Sequence, residues 1–152
     1  MRTSPNSDLR IDIPVAAPAQ RLLTAIARVE DWWTTDLERV GDEFTAHFDR
    51  NWTRVRVDGR HWTITGQDTP ALPIPDEWVG DELTFDVEET GSGTSVLHFT
   101  HHGLLAQECA SECRPAWQHY LASLVALAET GEGDPWRPGL APGGEVPLTL
   151  TT

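Results

Sequence analysis

The side chains able to do chemistry in this 152-residue sequence are six His, two Cys and 24 acidic residues. His101 is the most informative of them. It alternates with Leu97 and Phe99, which puts it on the apolar side of a strand, at that strand's end. An inward imidazole can hydrogen-bond a ligand's polar group or act as a general base. General-base work needs an acidic or nucleophilic partner, and none is visible beside it. The competing reading is a structural histidine that fixes the loop to the last helix. His47, His61, His98 and His119 fall on outer faces. Cys109 and Cys113 stand one helical turn apart, as a redox pair, half of a metal site with His101, or two buried apolar side chains. Helical Cβ directions suit a disulfide poorly even at ~6 Å. His98 and His102 are ~13 Å apart along a strand, too far to share a metal, so no metal site is expected. The carboxylate pairs Asp81/Glu82, Glu88/Glu89 and Glu108/Glu112 read as a solvated face. Gly91-Ser92-Gly93 sits in a hairpin rather than between strand and helix, so it is no phosphate loop, and no nucleophile elbow occurs.

The elements that must position these groups follow from periodicity. Leu9, Ile11 and Ile13 alternate with Asp8, Arg10 and Asp12, a half-buried strand. Pro18 opens a helix whose face is Leu22, Ile26 and Val29, and residues 30–35 form a second short helix or turn. Phe44, Ala46 and Phe48 alternate as a strand. The Asp58-Gly59 dipeptide predicts a two-residue hairpin that pairs Val57 with Arg60, Val55 with Trp62 and Thr53 with Ile64. Val55, Trp62 and Ile64 then share the inner face; Arg54, Arg56, His61 and Thr63 share the outer one. Residues 67–76 are a Pro-rich loop. Leu83, Phe85 and Val87 mark the next strand, and Leu97, Phe99 and His101 the last. From about Glu108 to Thr130 a helix presents Cys109, Cys113, Trp117, Tyr120, Leu121, Leu124, Leu127 and Ala128 on one face, with Pro115 expected to kink it unless its regular part begins near Ser111. Residues 1–7 are expected as a flexible start, 8–131 as one domain, and 132–152 as a mostly disordered Gly/Pro-rich tail onto which Trp136 is not expected to dock.

Composition excludes several classes. Eleven basic residues, all Arg, against 24 acidic give 11 − 24 = −13, which repels nucleic acid and anionic membranes. No apolar run approaches the ~18 residues of a membrane span. The first residues lack a signal peptide's apolar stretch, so a cytoplasmic location is expected, and the Lys-free basic set points to GC-rich codons and a bacterial source.

Glu77-Trp78-Val79-Gly80, Phe99-Thr100-His101, Gly103-Leu104, Glu108-Cys109, Cys113, Trp117, Leu124 and Thr130-Gly131 resemble the activator homologues of the heat-shock protein 90 ATPase. Trp32-Trp33-Thr34, Gly41 and Phe44 match more weakly. That subfamily belongs to the SRPBCC superfamily of START domains, polyketide cyclases and the birch-pollen allergen. The resemblance spans roughly residues 8–136 and implies an α+β helix-grip fold, a curved antiparallel sheet wrapped around a long C-terminal helix. The short Asp58-Gly59 hairpin, Asp81 in place of a small hydroxyl residue, and Pro115 depart from the family pattern.

A sheet wrapped around one helix leaves a concave space suited to a small apolar molecule. The leading expectation is therefore a binding domain without a cofactor. Its ligand, hydrophobic or aromatic, would lie between Val55, Trp62, Ile64, Trp78, Phe85 and Phe99 on one side and Cys113, Trp117, Tyr120, Leu121 and Leu124 on the other, with His101 as polar anchor. The same Trp rings read equally as core packing, each burying ~200 Å². Two alternatives stand beside it: a cyclase- or hydrolase-like enzyme using His101, and an interaction module, chaperone-linked or homodimeric.

Overall fold

The computed structural model describes residues 7–138, except residue 71. Seven strands form one antiparallel sheet: β1 (Leu9–Val15), β2 (Leu37–Val40), β3 (Glu43–Phe48), β4 (Asn51–Asp58), β5 (His61–Asp68), β6 (Glu82–Gly91) and β7 (Thr94–His101). Their order is β1-β7-β6-β5-β4-β3-β2. Between β1 and β2, helix α1 (Ala19–Ala27) and a 3₁₀ turn at Val29–Asp31 carry the chain from one sheet edge to the other. The long helix α2 (Ala110–Thr130) follows β7. This is the α+β helix-grip arrangement expected from the resemblance.

Alternation explains the layers. In β7, Leu97, Phe99 and His101 are buried, and each pairs across β6 or β1 with another inward residue, as Phe99 does with Phe85 and Ile11. On α2, Cys113, Trp117, Leu121, Leu124, Leu127 and Ala128 are buried as the helical period requires, and Tyr120 is half-buried. The helix starts at Ala110, with Cys109 as its N-cap, and runs through Pro115 without ending there. Pro115 stands on the exposed side of the second turn, where water can take the Ser111 carbonyl that loses its N–H partner.

The β4–β5 hairpin corrects the expected register. Asp58 pairs with His61, Val57 with Trp62 and Val55 with Ile64. The turn is Gly59-Arg60: Gly59 takes φ 61 at the first central position, while Asp58 lacks the positive φ that a type I′ Asp58-Gly59 turn would demand of it. The slip moves the partners of Val57 and Val55 by two residues, so the inward set of Val55, Trp62 and Ile64 is unchanged, and past a bulge at Arg54/Val55 Thr53 pairs with Gln67. The Leu37–Val40 strand, absent from the periodicity reading, is a four-residue edge with little buried surface. Of the expected 132–152 tail, the first residues lie against the body. Trp136 bridges in parallel to Thr34, with its N–H donating to the Trp33 carbonyl at 2.9 Å. The rest of that tail lies outside the described residues.

Candidate functional site

β5 and β6 pair over only three residues, His61 to Thr63 with Thr84 to Glu82. Past that point the 69–81 loop takes over the edge of β5: Gly80 N–H donates to the Ile64 carbonyl, and Ile64 N–H to the Asp81 carbonyl. The loop thereby delivers Glu77, Trp78 and Asp81 to the end of β7 and the start of α2.

There His101, fully buried, sits in a chain of hydrogen bonds. Its Nδ1 lies 3.0 Å from the Trp117 indole nitrogen and its Nε2 lies 2.8 Å from Asp81 Oδ2. An indole N–H can only donate, so Nδ1 is the acceptor and the imidazole proton resides on Nε2, donated to Asp81. Gln107 Nε2 donates to the same Asp81 oxygen at 2.7 Å. Burial holds His101 below the ordinary imidazole range against the opposing pull of Asp81, so the ring is neutral at physiological pH. Both nitrogens are thus committed, and the partner opposite the carboxylate is an indole, which is neither nucleophile nor proton acceptor. The geometry therefore fits a positioning role for His101, linking loop, strand and helix.

Asp81 corrects the reading of its carboxylate pair as a solvated face: Glu82 does face water beside His61, while Asp81 turns inward. No local signal could have found it, because its partners lie 20 and 26 residues away. Glu77 was also legible only as part of the quoted motif. Its carboxylate accepts from the Glu108 and Cys109 amides at 2.8 and 3.3 Å, placing negative charge at the N-terminus of α2.

Trp78 stacks on Trp117 at 5.7 Å and donates its indole N–H to Cys109 Sγ at 3.4 Å. Cys109 and Cys113 are free and buried. The neighbouring Cys113 thiol lowers the Cys109 thiol, and Cys109 in turn raises that of Cys113. Among the described residues no group of three or more His, Cys, Asp or Glu is arranged to hold a metal.

The other expected lining residues are brought together, packed against one another. Trp62 lies 4.5 Å from Phe85, 5.3 Å from Phe44 and 6.3 Å from Trp32; Phe99 lies 4.6 Å from Trp117. Val55, Ile64, Leu121 and Leu124 are buried in the same hydrophobic cluster. Trp62 carries a further feature: its indole N–H is buried and has no hydrogen-bond partner. Trp32, by contrast, donates to the Ile26 carbonyl at 3.2 Å.

Open space lies elsewhere. A groove of about 360 Å³ runs between β1 and the flank of α2, lined by Ile11, Ile13, Ala122, Val125 and Ala126, with Gln118 and Glu129 as its polar members. None of the twelve expected ligand residues lines it. A second concavity of about 540 Å³, between Glu38, Arg39, Val40, Glu43, Thr45 and Arg54, is predominantly polar.

No protein-family model and no curated protein matches this chain. Solved structures do. The Aha1 dimer from Colwellia psychrerythraea superposes with a TM-score of 0.64 at 22% identity, covering 83% of this chain and 98% of that one. A START superfamily protein from Mycobacterium smegmatis gives 0.51 at 12% identity, over 75% and 93%. The di-domain ARO/CYC StfQ of the steffimycin biosynthetic pathway gives 0.59 at 17% identity, over 81% of this chain and 45% of that one. At these identities the likeness is one of fold, and it falls on the same groups that the sequence resemblance named.

Proposed function

We propose that this chain binds a small apolar molecule between its sheet and its C-terminal helix, in the groove beside β1. One observation carries the reading: the interior is packed with its own aromatic rings, whereas the groove is open, apolar and of ligand size. The twelve interior residues then form the wall that holds α2 in place behind the groove. A neutral arylamine such as N-phenyl-1-naphthylamine is a suitable probe. At roughly 0.3–0.4 kcal/mol per heavy atom its dissociation constant should be on the order of 10–100 μM. Ala122→Phe, at an exposed position on the groove wall, should weaken binding about tenfold and leave the fold intact. Failure of the wild-type protein to bind near 1 mM probe, or binding indifferent to Ala122→Phe, would sink the reading.

A second reading is self-association over the same groove. β1 is an edge strand with half-buried Ile11 and Ile13, and one structural neighbour is described as a dimer. A concentration-independent monomer in sedimentation rules it out. The enzyme reading has less support, since His101 keeps no free lone pair.

A further inference from the structure

We infer that residues 132–136 form a removable strap, and that the aromatic surface beneath it accepts a flat, indole-sized heteroaromatic ligand in place of the chain's own Trp136. This does not rest on the groove reading, because it concerns the opposite flank of α2.

After Gly131, residues 132–136 turn back from the end of α2 to Trp33 and Thr35. Asp134 N–H donates to Ser123 Oγ at 2.6 Å, Trp136 N–H to the Trp33 carbonyl at 2.9 Å, and Thr35 N–H to the Trp136 carbonyl at 2.9 Å. Beneath lies a triangle of rings: Trp33 to Phe48 at 5.7 Å, Phe48 to Tyr120 at 5.9 Å and Trp33 to Tyr120 at 6.5 Å. Phe48 and Tyr120 are only half-buried even with the strap in place. The Trp136 indole stands edge-on to Phe48 at 6.0 Å and is itself half-exposed. A planar heteroaromatic group therefore already stands at this surface, and it identifies the chemistry that fits: a ring that meets Phe48 in a T-shaped pair.

The strap is held by hydrogen bonds that water can replace on release: Asp134 and Trp136 each donate one, and the Trp136 carbonyl accepts from the Thr35 N–H and hydroxyl, with Pro135 buried between them. Its narrow seat supplies a lever on it: a Cβ at Gly133 would stand 2.4 Å from the Asp31 carbonyl oxygen and 3.0 Å from Ser123. An internal occupant lowers apparent ligand affinity by the fraction of molecules in which it is displaced, so loosening the strap must tighten binding.

The test uses the full chain and 5-fluoroindole, followed by fluorine NMR. Gly133→Ala expels the strap while keeping Trp136, and Trp136→Ala removes the occupant while keeping the strap. Both should bind the probe at least about tenfold more tightly than wild type. In wild type, saturating probe should speed hydrogen exchange at the Asp134 and Trp136 amides. Folded variants that bind no more tightly than wild type overturn the inference. So do strap amides indifferent to saturating probe, a measurement that needs no variant to fold. A probe that shifts Ile13 and Val125 while leaving Asp134 and Trp136 untouched also overturns it, and supports the groove beside β1 instead.

Discussion

The aromatic interior has two ends that differ in how their polar atoms are used. At the loop end, Trp78 donates to Cys109, Trp117 to His101, and His101 to Asp81. At the strap end, Trp32, Trp33 and Trp62 stack at 5.9–6.5 Å; Trp33 alone of the three packs on Phe48 and Tyr120 beneath the strap, Trp32 donates to the Ile26 carbonyl, and the Trp62 N–H behind them is left without an acceptor. Both ends bury similar rings, so apolar area alone does not distinguish them. Hydrogen bonds inside a low-dielectric core do: made, they hold α2 in one position; unmade, they tax the native state. The loop end is the fixed frame, and the strap end is where the molecule can yield.

The largest expected effect is at the frame. His101→Ala strands both the Asp81 carboxylate and the Trp117 N–H, and should destabilise by about 3–5 kcal/mol in urea denaturation. A loss below about 1 kcal/mol would erase the distinction between the two ends. Trp117→Phe keeps most of the ring but removes the donor to His101, and about 2 kcal/mol is expected. The pH dependence sharpens the same point. Because burial depresses His101 below 6.5, the unfolded chain takes up the proton first as pH falls. Stability from this group is therefore full above 6.5 and lost below it, with a slope of at most about 1.4 kcal/mol per pH unit. His98 works the other way. Its hydrogen bonds to Glu88 and Asp12 raise it, so its contribution is present below 6.5 and fades at higher pH. His98→Gln should accordingly abolish a gain in stability that wild type shows as pH falls toward 6.5 and leave the loss below 6.5 unchanged, and a variant profile that keeps that gain would contradict the assignment. The smallest effect is expected at Trp62→Phe, within about 1 kcal/mol of wild type, because relief of the orphan donor offsets the lost ring volume. If Trp62→Phe costs as much as Trp117→Phe, the strap end is as fixed as the frame.

Much of this was legible in the sequence. Period-two alternation located six of the seven strands, because an inward face that must be apolar writes itself into every second residue. The α2 face was legible for the same reason at a period of 3.6. β2 was not, since a short exposed edge imposes no pattern. The hairpin register slipped because a left-handed Gly59 serves two turn placements, and Asp58, which does not take a positive φ, excludes the one expected. The candidate residues were placed on the correct face, yet facing inward does not say whether space remains between them. Packing filled the interior and left the groove beside β1.

The sequence by itself determined the layers: which residues face the helix, which face water, and that the acidic excess sits outside the core. Those properties depend on local spacing and hydropathy, which the chain carries at every position. The tertiary structure alone decided that Asp81 reaches His101 across 20 residues, that Trp117 takes the second nitrogen, and that Trp136 returns to Phe48. Such partners are set by where loops bring distant residues to rest, and no periodicity records a contact between segments that share none.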